Sequence, residues 1–278
     1  MDWSNPFAFL RTKWSEVPAG NRRLNTKHLL DVSDQDLLSL WTKAKFEATT
    51  GENFSVRGWY HMLYTPILKG LKVLDVGSGF GIDSITFAQA GAEMTFLDIL
   101  EPNLLVIRRI CELLRLKNMD FLYLEDFSSL SNLETNYDVI WCQGSLNTVP
   151  FEIARREAQE LLRHLKPNGR WIELAYPRTR WEREGKLPFD KWGERTNGGA
   201  PWVEWYDLHK LLVRLHPSRF DVILHFEFHN SDFNWFDLLR RQSAMDPASD
   251  IAGPAMHKQR NGNNRAQERS RRLLEDGT

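Results

Sequence analysis

The sequence predicts an α/β fold in which a mainly parallel sheet carries helices on both faces and closes with an antiparallel hairpin. Three observations predict it. From Leu71 onward, short apolar runs alternate with helix-patterned segments, and that alternation implies a parallel sheet covered on both faces. The first run, LKVLDVGSGFGIDSITF at 71–87, ends in glycines at alternate positions (Gly77, Gly79 and Gly81) and passes directly into a helix pattern. Late in the chain, FDVILHFEF and FNWFDLLRR are joined by HNSD, which reads as two strands of a hairpin.

Each element follows from local pattern. Residues 1–32 read as irregular and aromatic, with a polar run, GNRRLNTKH, at 20–28. Ser33 reads as an N-cap with Asp36 three residues on, and Leu37, Leu38, Leu40, Trp41 and Ala44 give a helical apolar face to about Ala48. The stretch 53–68 is ambiguous in pattern, with a helix expected from Arg57 to Tyr64. Residues 1–70 are thus expected to form an N-terminal helical cap. Strands are expected at 71–76, 94–99, 120–124, 138–142 and 170–175, and helices at about 81–90, 101–116 and 150–165. Pro102 and Pro150 sit where helices start, where a missing N–H costs nothing, and KPNG at 166–169 supplies turn chemistry after the third helix.

Residues 176–203 break this rhythm. The stretch is rich in tryptophan, proline and glycine and is too long for an ordinary connection, so it reads as an insert forming a lid or a substrate wall. A helix pattern at 204–215 precedes the hairpin. The expected main domain is therefore 71–243, with the insert at 176–203. From 244 to 278 the chain is polar, of mixed charge and without Phe, Trp or Tyr, the composition of a mobile tail.

Composition excludes several classes. The chain has 278 residues, 42% hydrophobic, with a formal net charge of −1. That balance gives neither the basic field of a nucleic-acid binder nor an acidic, disordered character. Cys111 falls in a helix pattern and Cys142 in a strand pattern; both read as buried, and their spacing makes no metal motif. No two-His-one-carboxylate spacing points to a metal. The N-terminal stretch has charge on both sides of a short apolar run, which fits neither a signal peptide nor a membrane span. A cytoplasmic protein that does not engage membranes is expected.

The glycine loop is the chemical signature. A strand that ends in glycines and opens a helix presents backbone N–H groups and a positive helix end to a ligand. The dinucleotide fingerprint would need its third glycine at position 82, which is Ile82. Here the pattern is D-V-G-S-G-F-G, with Asp75 on the strand itself. VLDVGSGFG, TFLDI at 95–99, EDF at 125–127, YDVIWCQGSL at 137–146 and LLRHLKPNGRWIEL at 161–174 together resemble the class I S-adenosylmethionine-dependent methyltransferases, over about Leu71 to Arg240. The resemblance implies a Rossmann-like, mainly parallel seven-stranded sheet whose antiparallel hairpin supplies the seventh strand. It implies S-adenosylmethionine as cofactor, with Gly77, Ser78, Gly79 and Gly81 under its methionine and ribose. It further implies Asp98, with Ile99 beside it, on the ribose hydroxyls, and Asp126 on the adenine amine with Phe127 nearby. Gln143 and Ser145, after the fourth strand, would line the methionine. The residues agree: Asp98 ends an apolar strand seventeen residues after Gly81, where a carboxylate can accept two ribose O–H bonds.

The acceptor site is less marked. Trp59 and Tyr60, in RGWYHMLY, are cap candidates over the cofactor, Tyr60 on the cofactor and Trp59 toward the substrate. Asn147, Tyr176 and Trp202 are substrate-wall candidates, with Trp181, Trp192 and Trp205 on the same insert. His229, His61 and Glu204 are proton-acceptor candidates, with Asp207 behind them; a general base is needed wherever the accepting atom loses a proton. After the fourth strand the chain reads QGSL, not the Asn/Asp-Pro-Pro-aromatic motif of enzymes that methylate base amines. A small-molecule acceptor methylated at oxygen or nitrogen is expected. The rival readings are an RNA or protein methyltransferase, a nucleotide-binding oxidoreductase on a similar sheet, and a cofactor-binding protein without catalysis.

Overall fold

The structure, a computed structural model, describes residues 6–16, 25–193 and 202–242. The expected tail at 244–278 and most of the 20–28 polar run lie outside the described residues. Strands β1 (Lys72–Val76), β2 (Glu93–Asp98), β3 (Met119–Tyr123), β4 (Tyr137–Gln143), β5 (Leu165–Ala175), β6 (Phe220–Phe228) and β7 (Phe233–Arg240) form one sheet in the order β3-β2-β1-β4-β5-β7-β6. The first five run parallel; β7 is antiparallel to both β5 and β6. The expected mainly parallel sheet with a closing hairpin is therefore present. Its order reverses between β1 and β4, the place where open α/β sheets bind ligands at their carboxyl ends.

The helices are α1 (Pro6–Glu16), α2 (Thr26–Leu29), α3 (Asp34–Thr49), α4 (Gly58–Ile67), α5 (Ile82–Gln89), α6 (Glu101–Leu113), α7 (Phe151–Leu161), α8 (Arg178–Arg183), α9 (Phe189–Trp192) and α10 (Leu208–Leu215). The alternation of strand side chains builds a core on each face. Val73, Phe96, Val139 and Trp141 meet α3–α6 through residues such as Trp41, Tyr64, Ile85 and Ile107. Leu74, Leu97, Ile140 and Cys142 meet α1, α7 and α10 through Leu10, Ala158 and Leu211. Cys111 and Cys142 are free and buried, as expected.

Local chemistry sets the boundaries. Ser33 caps α3 by accepting from the Asp36 N–H at 3.1 Å, and Pro102 occupies the first turn of α6. Two expectations need correction. The 1–32 segment is not irregular throughout: α1 is a helix whose Phe7 and Leu10 are buried on the sheet. The helix expected at 204–215 begins only at Leu208, because Asp207 caps it, accepting from the Lys210 N–H at 2.8 Å. The KPNG turn interrupts β5 itself, since Leu165 pairs with Tyr137 before it and Arg170 with Val139 after it; Asn168 takes the left-handed conformation there.

The hairpin is held to the cap by aromatic packing. Trp235 of β7 stacks on Tyr60 with ring centroids 4.9 Å apart and meets Trp59, Tyr64 and Trp141 within 5.6 Å. Its indole N–H donates to Tyr64 Oη at 3.1 Å, and Tyr64 in turn donates to Asp237 at 2.7 Å. Because Trp235 is fully buried, Trp235→Ala should cost about 3–5 kcal/mol, the range for removing a buried aromatic. Urea denaturation checks this; a loss below about 1 kcal/mol would show that β7 does not depend on the cluster.

Candidate active site

The site begins where β1 runs out. Gly77 has φ +74°, and a Cβ there would lie 2.5 Å from Ser145 Cβ, so only glycine lets the loops after β1 and β4 approach this closely. Gly79 also has positive φ (+57°), but a Cβ there would meet nothing within 4 Å. It faces open space in a backbone conformation that exposes its surroundings to a ligand. Gly81 caps α5.

Asp98, at the end of β2, fixes this loop. Its Oδ2 accepts from Gly79 N–H at 2.9 Å and from Asn103 Nδ2 at 3.0 Å; its Oδ1 accepts from Leu100 N–H at 2.8 Å. Asn103 Oδ1 accepts in turn from the Thr26 hydroxyl at 2.6 Å, which ties α2 to the same network. Burial raises the Asp98 pKa, and Asn103 and the backbone donors oppose that rise.

Two cavities flank the loop and share Gly77 and Gly79. The first, about 250 Å3, runs from Asp98 and Ile99 past Ser145 to Glu157 of α7, under Phe7, Leu10 and Trp14 of α1. The second, about 180 Å3, is polar: Arg57, Asp75, Ser78, Asp83, Ser84 and Gln143 line it. Beside it Asp83 accepts from Tyr60 Oη at 3.2 Å, meets His61 Nε2 at 2.7 Å, and ion-pairs with Arg57 at 3.4 Å. Burial alone would raise the Asp83 pKa, but Arg57 and His61 outweigh it and hold the carboxyl at about 2. Asp75 is reached by Arg57 more weakly than Asp83 is. Burial pushes it up to about 7, although the Ser84 hydroxyl donates to it.

Residues 73–169 match the methyltransferase domain family. This part of the chain is a class I methyltransferase domain. A ubiquinone biosynthesis O-methyltransferase of Schizosaccharomyces pombe, mitochondrial by name, is 33% identical over 110 residues, 40% of this chain and 39% of that protein. The chain spans 39–45% of the length of the curated relatives it matches. Among solved structures, an N-methyltransferase of Bradyrhizobium japonicum in complex with S-adenosyl-L-homocysteine aligns with TM-score 0.52 at 13% identity, over 75% of this chain and 98% of that one. The 1,6-didemethyltoxoflavin N1-methyltransferase of Burkholderia thailandensis aligns with TM-score 0.50 at 16% identity, over 75% and 87%. At these identities the two structures show the shared fold.

Within the methyltransferase domain, the structure gathers part of the expected site. Gly77, Gly79, Asp98, Ile99 and Ser145 line the first cavity; Ser78 and Gln143 line the second. The Ser145 hydroxyl and both polar atoms of the Gln143 side chain are buried without a hydrogen-bond partner. Asp126 is placed elsewhere: it is exposed and caps the turn at 127–132, its Oδ1 accepting from Ser128 N–H at 2.7 Å. Phe127 packs edge-on against Phe7, centroids 4.7 Å apart, under the Arg156 guanidinium. Neither lines either of the two cavities.

The acceptor-side residues scatter. Trp59 packs on Phe226, Phe228 and Trp235, and Tyr60 belongs to the Asp83 knot. His61 is committed to Asp83, and His229 sits in the hairpin turn with Nδ1 2.9 Å from the Ser55 hydroxyl. The Glu204 carboxylate ion-pairs with Lys210, while its N–H donates to the Asn147 carbonyl at 2.7 Å. Asn147 is buried with an unpartnered amide. Tyr176 meets Trp192 and Phe233; Trp202 meets Phe9 and Phe189. Sequence reasoning missed α1 over the first cavity, Arg57 and Asp83 beside the second, and Glu157. The spacing of Phe7, Leu10 and Trp14 was a usable signal for the first. Among the described residues no group of three or more His, Cys, Asp or Glu is arranged to hold a metal ion.

Asp75 gives a pH signature. Its pKa is raised on folding, so the folded state holds a proton that the unfolded state has released. Its contribution to stability is present below about pH 4 and lost as pH rises toward about 7. Asp75→Asn should therefore flatten the decline in stability between pH 4 and 7 by up to about 1.4 kcal/mol per pH unit. Urea titrations at several pH values measure the slope; an unchanged slope would mean that Asp75 is ionised in the folded protein.

Proposed function

We propose that this protein is an S-adenosylmethionine-dependent methyltransferase acting on an oxygen or nitrogen of a small molecule. The observation that carries the reading is Asp98: a buried carboxylate at the end of β2 that lines a cavity floored by glycines and roofed by an apolar helix. The residues present fit the cofactor. Gly79 leaves open space where a side chain would stand, and Ser145 and Gln143 hold buried polar atoms that lack partners. Asp98 would take the ribose hydroxyls and Ile99 one face of the base. The second cavity suits the amino-acid end, with Arg57 for its carboxylate and Asp75 and Gln143 for its ammonium.

When bound, the cofactor supplies a methyl group activated on a sulfonium. The chain's own residues do the rest. Phe7, Leu10 and Trp14 cover the first cavity and exclude water from it. The Asp98 carboxylate holds the Gly79 loop and the start of α6 in register. Of the proton-acceptor candidates, Glu204 is the one joined to the loop after β4, through Asn147, and is the base we favour. A small-molecule acceptor is supported by the curated relatives, which are ubiquinone biosynthesis O-methyltransferases, and by the Burkholderia structure, which holds bound 1,6-didemethyltoxoflavin.

S-adenosylhomocysteine should raise the melting temperature by mass action, by about 2.7 kcal/mol of stability at a hundredfold excess over Kd. A shift with NAD and none with S-adenosylhomocysteine would replace this reading with the oxidoreductase one. Label from the methyl-tritiated cofactor, incubated with an extract, should enter the solvent-extractable fraction; label confined to acid-precipitable material would point to RNA or protein instead. Asp98→Ala should weaken binding by roughly 2–3 kcal/mol, the scale for losing charge-assisted hydrogen bonds. Calorimetry reads this, with Asp98→Asn as the variant that keeps the shape of the loop contact.

A further inference from the structure

Two carboxyls line the first cavity: Asp98 at the end of β2, and Glu157 well inside α7. Asp98 already accepts from three N–H donors. Glu157 is 7% exposed and has no hydrogen bond among the described residues; Arg214 reaches it through Coulomb attraction. Much of the lining between the two is apolar, including Val76, Leu97, Leu124 and Val149. Of the other polar side chains there, Asn103 is spent on Asp98 and Thr26, and Thr148 on the Ser145 carbonyl, while the Ser145 hydroxyl, an O–H donor as well as an acceptor, is unpartnered. A largely apolar cavity with a buried, unmatched carboxyl in its lining fits a flat aromatic ring that carries a hydrogen-bond donor on its rim.

We propose that Glu157 reads the base of the nucleoside cofactor by accepting a hydrogen bond from its exocyclic amine. This assignment rests on the cofactor reading above. The acid that the resemblance puts in this role, Asp126, is exposed, lies off the cavity and is spent on Ser128. Glu157 is the reverse: buried, on the cavity and unspent. Burial pushes its carboxyl up to about 7 against the pull of Arg214. The ionised form accepts from the amine, and the protonated form also offers an O–H to the neighbouring ring nitrogen, so either form matches the adenine edge.

The test measures Kd by calorimetry for S-adenosylhomocysteine and for its analogue in which hydrogen replaces the exocyclic amine. The wild-type protein should prefer the amine about tenfold, the scale for one hydrogen bond to a charged group. Glu157→Leu should reduce that preference to about twofold or less, since the preference between the two ligands rests on one hydrogen bond. Glu157→Gln, whose amide oxygen still accepts, should keep most of it, and Asp126→Ala, which removes that acceptor altogether, should behave as wild type. If Glu157→Leu does not fold, Glu157→Asp, shorter by one methylene, takes its place and should lose the preference. Full preference in Glu157→Leu, or in Glu157→Asp where Leu does not fold, or its loss in Asp126→Ala, would overturn the assignment. Binding of neither compound by the wild-type protein would overturn the cofactor reading beneath it.

Discussion

The carboxylate of Asp98 is the point on which the site and the fold both depend. A buried charge of this kind is costly unless several donors meet it, and here they come from three separate pieces of chain. Gly79 belongs to the loop after β1, Leu100 to the turn after β2, and Asn103 to α6. Thr26 extends the set to the N-terminal cap through Asn103. The loop that would carry the ligand is therefore positioned by the group that would bind it. Formation of β2 and α6 fixes the glycine loop before any ligand arrives, which lowers the ordering cost of binding.

Charge is arranged around that point with an intended imbalance of partners. Asp75, Asp83 and Asp98 stand close enough to act on one another electrostatically. Arg57, joined by His61, serves Asp83 and holds it ionised. Against its desolvation Asp75 has the hydroxyls of Ser84 and Ser78, with Arg57 acting on it more weakly than on Asp83. It is thus the acid in the second cavity that gains most from an incoming positive group, because such a group would offset a burial that the protein leaves largely uncompensated. The same imbalance makes the folded protein less stable as pH rises, so binding and stability meet at one residue.

Much of this frame was legible in the sequence. The strands, the order of elements, the hairpin and the acid at the end of β2 follow from periodicity and from glycine spacing, which are local signals. What was hidden depends on tertiary contact. Helix α1 is short and carries no acid in its first turn; its helicity comes from docking Phe7 and Leu10 on the sheet, as with most short helices. A loop acid can bind a ligand or cap a neighbouring turn, and in the structure Asp126 caps the turn at 127–132 through Ser128 two residues on, a contact that motif resemblance does not give. Glu157 was invisible because one glutamate in an amphipathic helix looks like a solvated residue until the cavity beside it is seen.

The insert changes meaning once its packing is known. As sequence it is a wall of tryptophans beside the sheet edge. In the structure Trp192 and Val203 are buried against Tyr176, Trp181, Leu187 and Trp205, with Trp181 and Trp205 stacked 5.6 Å apart. The segment therefore spends much of its aromatic surface on a small core of its own. Trp14 of α1 joins that core, and Trp202 packs on Phe9 of the same helix. Because α1 also roofs the first cavity through Phe7, Leu10 and Trp14, the insert supports the roof from behind. The loop after β4 is bound to it as well, through the Glu204 N–H and the Asn147 carbonyl. An acceptor wall independent of the cofactor site would need contacts that stop short of α1; these do not. The described part of the insert and the first cavity thus share α1, with Trp14 packed against the one and lining the other.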